Sequence, residues 1–297
     1  MNAIVLPHPH IANARAQPRL STEVRRMRAE ALWITLGRDA ATGLQNFTPE
    51  LVREFSELIE ELHASRKHRP LPQYAVVQSA DPGYFSMGGD LRFFRDCIER
   101  RDAAQLREYS MRCLDLLLSW SGKFKETTTS IALVQGRALG GGFEMALSTD
   151  YLIAEEHSSF GFPEIMFGLF PCTGAMGLLS SRIGARQAER MMTNKKVYSA
   201  SELYDMGLVD ELCAKGEGEL AVERFIANHQ SRVKARLKVQ QSRNRHEALD
   251  RAEGTRIVED WVETAMCLTA EERRSMDMLI MMQEREATMP AKRQAAA

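Results

Sequence analysis

The 297-residue chain is poor in the features that mark several protein classes. Its five cysteines (Cys97, Cys113, Cys172, Cys213 and Cys267) are odd in number, widely scattered and form no C-x-x-C pair. That usage speaks against a disulfide framework or a zinc ribbon and fits a reducing compartment. No apolar run approaches the roughly 18 residues of a bilayer-spanning helix, so no membrane insertion is expected. The first 20 residues lack a basic segment followed by an apolar one, so the chain reads as cytoplasmic, without a secretory leader. The formal net charge is -1, which favours neither a nucleic-acid partner nor an electrostatic trap for acidic substrates. The seven histidines keep no metal-ligand spacing, and H-E-x-x-H is missing. So are the G-x-S-x-G elbow and the G-x-x-x-x-G-K-[ST] phosphate loop. The glycines of GRALGGGFE do not form G-x-G-x-x-G, so dinucleotide binding has no support. No metal and no resident cofactor is expected.

What is present is an ordinary globular composition, 44% hydrophobic and 27% charged. A loose arm is expected over 1–20, an α/β core over 21–212 and a helical region over 213–297. A short helical pattern begins at Ser21, followed by a first strand at Ala31–Leu36. Thr48-Pro-Glu predicts a helix start, with Thr48 as N-cap and Pro49 in the first turn. Strands are predicted at Tyr74–Gln78, Ser130–Gln135 and Tyr151–Ala154, with long helices between them. Short apolar strands alternating with helices predict βαβ units and a largely parallel sheet. The Ala-rich last residues read as disordered.

Two glycine-dense turns, Ser86–Asp90 and Gly140–Gly142, each follow an apolar strand and precede a helix. Backbone N–H groups from two such loops can meet on one carbonyl oxygen, at the carboxyl ends of parallel strands. Glu144 lies two residues beyond the last glycine, and Glu164 follows a Phe-Gly-Phe-Pro turn with few polar neighbours. A carboxylate pair suits addition or removal of water across a C=C bond, one group taking a proton and the other giving one. Cys172 has no partner histidine and reads as a small core residue. The basic run Arg232, Lys234, Arg236, Lys238, Arg243 and Arg245 reads as a solvated helix face, its functional alternative a dock for an acidic carrier or coenzyme A phosphates. The apolar cluster from Ile257 to Met282 reads as packing or, more sharply, as the lining of an acyl-chain pocket.

Four motifs now carry a resemblance: YFSMGGDL at 84–91, VQGRALGGGFEMALSTDYLIAEE at 134–156, FGFPEIMFGLFP at 160–171 and YSASELYDMGLVDEL at 198–212. In order and spacing the chain resembles the enoyl-CoA hydratase/isomerase (crotonase) superfamily. The resemblance implies a crotonase-like spiral of βαβ units with a helical C-terminal region, thioester substrates, and assembly as a homotrimer or hexamer. By motif it places oxyanion-hole N–H groups on Met87 or Gly88 and on Gly141, and acid/base chemistry on Glu144 and Glu164. Within the superfamily, FSMGGDLRFF, EIMFGLFP and the tail at 257–280 are most similar to bacterial diffusible-signal-factor synthases. That likeness implies dehydration of a 3-hydroxyacyl group on acyl carrier protein to a cis-2-enoyl thioester, then hydrolysis to the free acid, a quorum-sensing signal. It also implies that Leu139, Gly140, Trp261 and Leu279 bind substrate, and that a sensor kinase is a further partner. The competing expectations are an enoyl-CoA hydratase or isomerase of fatty-acid metabolism, acting on coenzyme A thioesters, and a non-catalytic scaffold that binds the kinase.

Overall fold

A computed structural model describes residues 18–68, 70–122, 127–246 and 249–288. The expected arm, apart from its last three residues, and the Ala-rich tail lie outside the described residues. The chain opens with β1 (Leu20–Arg26) and β2 (Glu30–Leu36), paired antiparallel from Leu20↔Leu36 to Arg26↔Glu30. This corrects the helical reading at Ser21. Leu20 and Val24, both buried, lie four residues apart, a spacing that suits one face of a helix and equally one face of a strand. Pairing with the apolar β2 decides between them. α1 (Pro49–Ser65) starts as expected: Thr48 Oγ1 accepts the Leu51 N–H at 3.2 Å, with Pro49 in the first turn. Its buried stripe includes Leu51, Phe55, Leu58 and Ile59, and Phe55 meets Trp120 edge-on at 5.6 Å.

The chain then runs β3 (Tyr74–Ser79), β4 (Tyr84–Ser86), α2 (Leu91–Glu99), α3 (Ala103–Ser121), β5 (Thr129–Val134), β6 (Arg137–Leu139) and α4 (Gly141–Leu147). It continues through β7 (Tyr151–Glu155), β8 (Ser159–Gly161) and a 3-10 helix, Pro163–Phe167. α5 (Ala175–Ile183), α6 (Ala185–Thr193), β9 (Tyr198–Ser199), α7 (Ala200–Asp205) and β10 (Glu211–Cys213) follow. α8 (Gly218–His229), α9 (Val233–His246), α10 (Arg251–Met266) and α11 (Ala270–Thr288) complete the described chain.

Two sheets result, in the orders β1-β2-β3-β5-β7-β10 and β4-β6-β8-β9. From β2 onward the larger sheet is parallel, and its central strands are buried on both faces. Leu32, Ile34, Ala75 and Val77 face the helices of the main core, while Ala31, Trp33, Val76 and Ile131 face α8. The alternation follows the two-residue period of a strand. Each turn of the spiral places one strand in each sheet: β3 then β4, β5 then β6, β7 then β8. The expected boundary after residue 212 falls inside β10, which pairs Cys213 with Glu155 of β7. α10 and α11 contribute Val258, Trp261 and Ile280 to the same main core as the α/β part. Among the described residues, no helix is long and apolar enough to cross a membrane.

The hinge between sheets is tight. A Cβ on Gly136, between β5 and β6, would lie 2.6 Å from the carbonyl carbon and oxygen of Gly83, backbone atoms that have nowhere to move. Gly136→Ala is therefore expected to lower stability by about 1–3 kcal/mol, the ordinary cost of overpacking. A urea-unfolding midpoint compared with wild type measures it.

Candidate active site

Three parallel strands of the small sheet position the site. β4, β6 and β8 lie side by side, with Ser86↔Ala138 and Leu139↔Gly161 among their paired residues. The residues leaving their carboxyl ends are Met87–Gly89, Gly140–Gly142 and Phe162–Glu164, so both glycine turns and both glutamates converge there. The glycine turns thus follow β4 and β6 of the small sheet rather than the long apolar strands of the main sheet. Strands of three residues carry too little alternation to be seen in sequence.

The N–H groups of Met87 and Gly88, expected to supply the first oxyanion donor, are already engaged. Met87 N donates to the Gln45 carbonyl at 2.7 Å, and Gly88 N donates to Ser86 Oγ at 3.1 Å. The next N–H, that of Gly89, has no acceptor among the described residues, and neither does that of Gly141. A Cβ built on Gly141 would lie 3.7 Å from Gly89 N, so the two donors are neighbours. The neighbouring N–H groups without an acceptor among the described residues are therefore those of Gly89 and Gly141, not those of Met87 or Gly88. The register of the turn decides this, and the spacing of S-M-G-G-D leaves it open.

Glu144 sits in the first turn of α4 and is 2% exposed. Its Oε1 accepts N–H groups from Thr173 at 2.9 Å and Ala175 at 3.0 Å, and its Oε2 accepts the Thr173 hydroxyl at 2.6 Å. Burial pushes its carboxyl above the usual carboxylate range, and these donors pull it part of the way back. Glu164, at the start of the 3-10 helix, is supported otherwise. Its Oε2 is buried with no hydrogen-bond partner among the described residues. Burial first, and the negative charge of Glu144 second, push its carboxyl up to about 8. Gly140 makes room for it: φ there is +51°, and a Cβ would lie 2.4 Å from Glu164 Oε1. Only glycine meets both demands.

Both glutamates border a cavity whose wall is mostly apolar, including Phe47, Val52, Leu116 and Leu117. An outer groove, lined by Leu139, Gly140, Leu279 and Met282, joins it at Gly89, Phe94, Glu164 and Trp261. The indole of Trp261 packs edge-on against Phe94 at 5.1 Å. Leu139, Gly140 and Leu279 therefore line the approach, and Trp261 borders both compartments. Cys172 also lines the inner cavity, where burial and Glu144 hold its thiol far above the usual range, so it is protonated and a poor nucleophile. Sequence reasoning missed Thr173, Ala175 and Gly89. Ala175 and Gly89 present only backbone N–H groups, and Thr173 presents one besides its hydroxyl; a backbone donor carries no side-chain signature. Among the described residues, no group of three or more His, Cys, Asp or Glu side chains is arranged to hold a metal ion.

From Lys234 to Arg245 the basic run lies on α9, and Arg243 serves the core. Arg243 Nη2 donates to the Asp150 carbonyl at 2.8 Å, at the far end of α4 from Gly141. Asp150 Oδ2 in turn accepts from Ser130 N and Oγ, both at 2.8 Å.

The fold recurs widely. A Mycobacterium paratuberculosis enoyl-CoA hydratase/isomerase superposes with a TM-score of 0.69 at 17% identity, over 89% of this chain and 99% of that one. Pseudomonas aeruginosa DspI superposes with a TM-score of 0.60 at 24% identity, over 91% and 99%. In sequence, the chain is 26% identical to Danio rerio ethylmalonyl-CoA decarboxylase over 69% of its own length and 65% of the relative's. It is 29% identical to a probable enoyl-CoA hydratase of Rhizobium meliloti (strain 1021), over 75% and 81%. It spans 54% of an Arabidopsis thaliana mitochondrial probable enoyl-CoA hydratase and 19% of the peroxisomal multifunctional proteins that it matches. Residues 31–285 match the enoyl-CoA hydratase/isomerase family, and with that extent of agreement the chain belongs to it.

Proposed function

We propose that this protein adds or removes water across the C2–C3 bond of an acyl thioester. One observation carries the reading: a buried carboxyl group held by donors and a half-buried glutamate whose buried Oε2 has none stand beside two N–H groups without acceptors among the described residues. Glu144, held by three donors, is the base, and Glu164, with its raised pKa, carries a proton at neutral pH. In the hydration direction the thioester carbonyl lies against Gly89 and Gly141 N–H, which stabilise the enolate. A donor so placed supplies about 3–4 kcal/mol in the transition state. Glu144 takes a proton from water as its oxygen bonds to C3, and Glu164 gives its proton to C2. Dehydration is the same path reversed, with the proton assignments exchanged.

A finer reading makes the substrate a 3-hydroxyacyl group on acyl carrier protein. Dehydration would give the cis-2-enoyl thioester, and water attacking the carbonyl would then release the thiol and a free acid. The FSMGGDLRFF and EIMFGLFP motifs support it, as does the position of Trp261 between the two compartments. The hydratases among the relatives favour the coarser reaction. Mass spectrometry of products from 3-hydroxyacyl-carrier and enoyl-CoA substrates separates them: a free cis-2-enoic acid supports the finer reading, and 3-hydroxyacyl-CoA alone overturns it.

Glu144→Gln and Glu164→Gln are each expected to lower kcat by roughly 10²–10⁴, the usual worth of a positioned acid or base. The glutamine at 144 keeps its partners, since its oxygen still accepts both N–H groups and its amide can donate to Thr173 Oγ1. Circular dichroism should therefore show a folded protein. Turnover of every acyl thioester at the wild-type rate by either variant would sink the reading.

The pH profile follows from the two protonation states. Hydration needs Glu164 protonated, so kcat/KM is expected to fall as pH rises through about 8. It needs Glu144 ionised, so the acid limb should lie above the ordinary carboxylate range. Glu164→Gln should abolish the alkaline limb while leaving the acid limb; a profile retaining both contradicts the assignment.

A further inference from the structure

The outer groove has a chemical polarity that the acid/base reaction leaves unused. Its floor is one face of β4 and β6, where Tyr84 and Arg137 are paired in register and Arg137 and Leu139 point the same way, two residues apart. Its roof is one face of α11, carrying Leu279, Met282, Gln283 and Glu286 at helical spacing. The inner end is apolar and reaches Gly140 and Glu164. The outer end is the group Tyr84, Arg137 and Glu286. Arg137 Nη1 donates to Tyr84 Oη at 3.1 Å and to Glu286 Oε1 at 3.5 Å, and the Tyr84 hydroxyl donates to Glu286 Oε2. Both of these hydrogen bonds of Arg137 use Nη1, and its Nε and Nη2 have no acceptor among the described residues. Its side chain is 38% exposed. Burial and the Glu286 carboxylate hold the Tyr84 phenol neutral, as a donor.

A guanidinium with a free edge beside a phenol donor, at the mouth of an otherwise apolar groove, is built for a tetrahedral oxyanion. Arg137 to Gly140 is three residues of extended chain, about 10 Å, before the reach of the arginine side chain is added. A pantetheine arm spans a gap of that order between its sulfur and its phosphate. Its amides and methylenes suit a groove with Leu139, Leu279 and Met282 on its walls and Gln283 among them.

We infer that Arg137 binds the phosphate of a pantetheine arm whose thioester reaches Gly89 and Gly141, and that Glu286 competes for the same guanidinium. The inference rests on the thioester reading above. It assigns α11 a role in binding: phosphate arriving at Arg137 displaces the Glu286 carboxylate, so groove occupancy and the seat of α11 are coupled. The phosphate is common to coenzyme A and to an acyl carrier protein, and Arg137 recognises either.

The test is binding, measured by calorimetry without any reaction. Wild-type protein is expected to bind 4′-phosphopantetheine at least about tenfold tighter than pantetheine, the worth of a charge-assisted contact. Arg137→Ala should collapse that ratio towards one, and Arg137→Lys should recover part of it. Glu286→Gln should raise it severalfold by removing the competitor. Coenzyme A and a holo-acyl carrier protein form the two further arms. Whichever binds tighter than 4′-phosphopantetheine identifies the source of the phosphate, and either result depends on Arg137. A wild-type ratio near one, or a ratio unchanged in Arg137→Ala, overturns the inference while thioester turnover stands. Absence of turnover on every thioester overturns the reading beneath it, and the binding ratio still reports on Arg137 separately.

Discussion

The site depends on the parallel register of three strands that are each three residues long. Because β4, β6 and β8 lie side by side, the segments leaving their carboxyl ends have to meet. Glu144 and Glu164 are 20 positions apart in the chain, and the pairing of Leu139 with Gly161 is what brings their loops together. A one-residue slip would turn every side chain of a strand to the other face and carry the Gly89 and Gly141 N–H groups with it. The larger sheet holds this register from behind. Its buried strands β3, β5 and β7 feed the small ones, and the close approach of Gly136 to Gly83 leaves little slack between them.

Within that frame the two carboxyl groups differ because their partners differ. An ionised carboxylate withdrawn from water is costly unless donors replace the water. Glu144 has such donors in Thr173 and Ala175, brought by the segment entering α5. Glu164 has a buried oxygen without a partner among the described residues and a like charge nearby, so retaining a proton is its favoured state. Environment alone thus gives two identical side chains different proton affinities. The protonated Cys172 thiol in the same cavity adds no rival nucleophile.

The C-terminal helices close the arrangement. Trp261 of α10 stands where the two compartments meet, and α11 is tied across the outer groove by ion pairs with α2, Arg95 to Asp277 at 2.8 Å among them. The helical region is therefore part of the wall around the chemistry, and it shares the main core rather than forming a separate one.

Several elements were legible in the residues alone. Thr48 and Pro49 mark the start of α1, the apolar runs Tyr74–Gln78 and Ser130–Gln135 mark buried strands, and the glycine turns single out the stretches that carry Glu144 and Glu164. These depend on local propensity, capping and burial, which a short stretch of sequence carries by itself. The small sheet, the strand at Leu20–Arg26 and the choice of Gly89 over Met87 or Gly88 were decided by tertiary structure. Each turns on which distant group takes up a backbone N–H: carbonyls of the paired strand β2 for β1, Gln45 carbonyl for Met87, Ser86 Oγ for Gly88. The unequal glutamates belong to the same class, because burial and the donors of Thr173 and Ala175 exist only once the chain has closed around them.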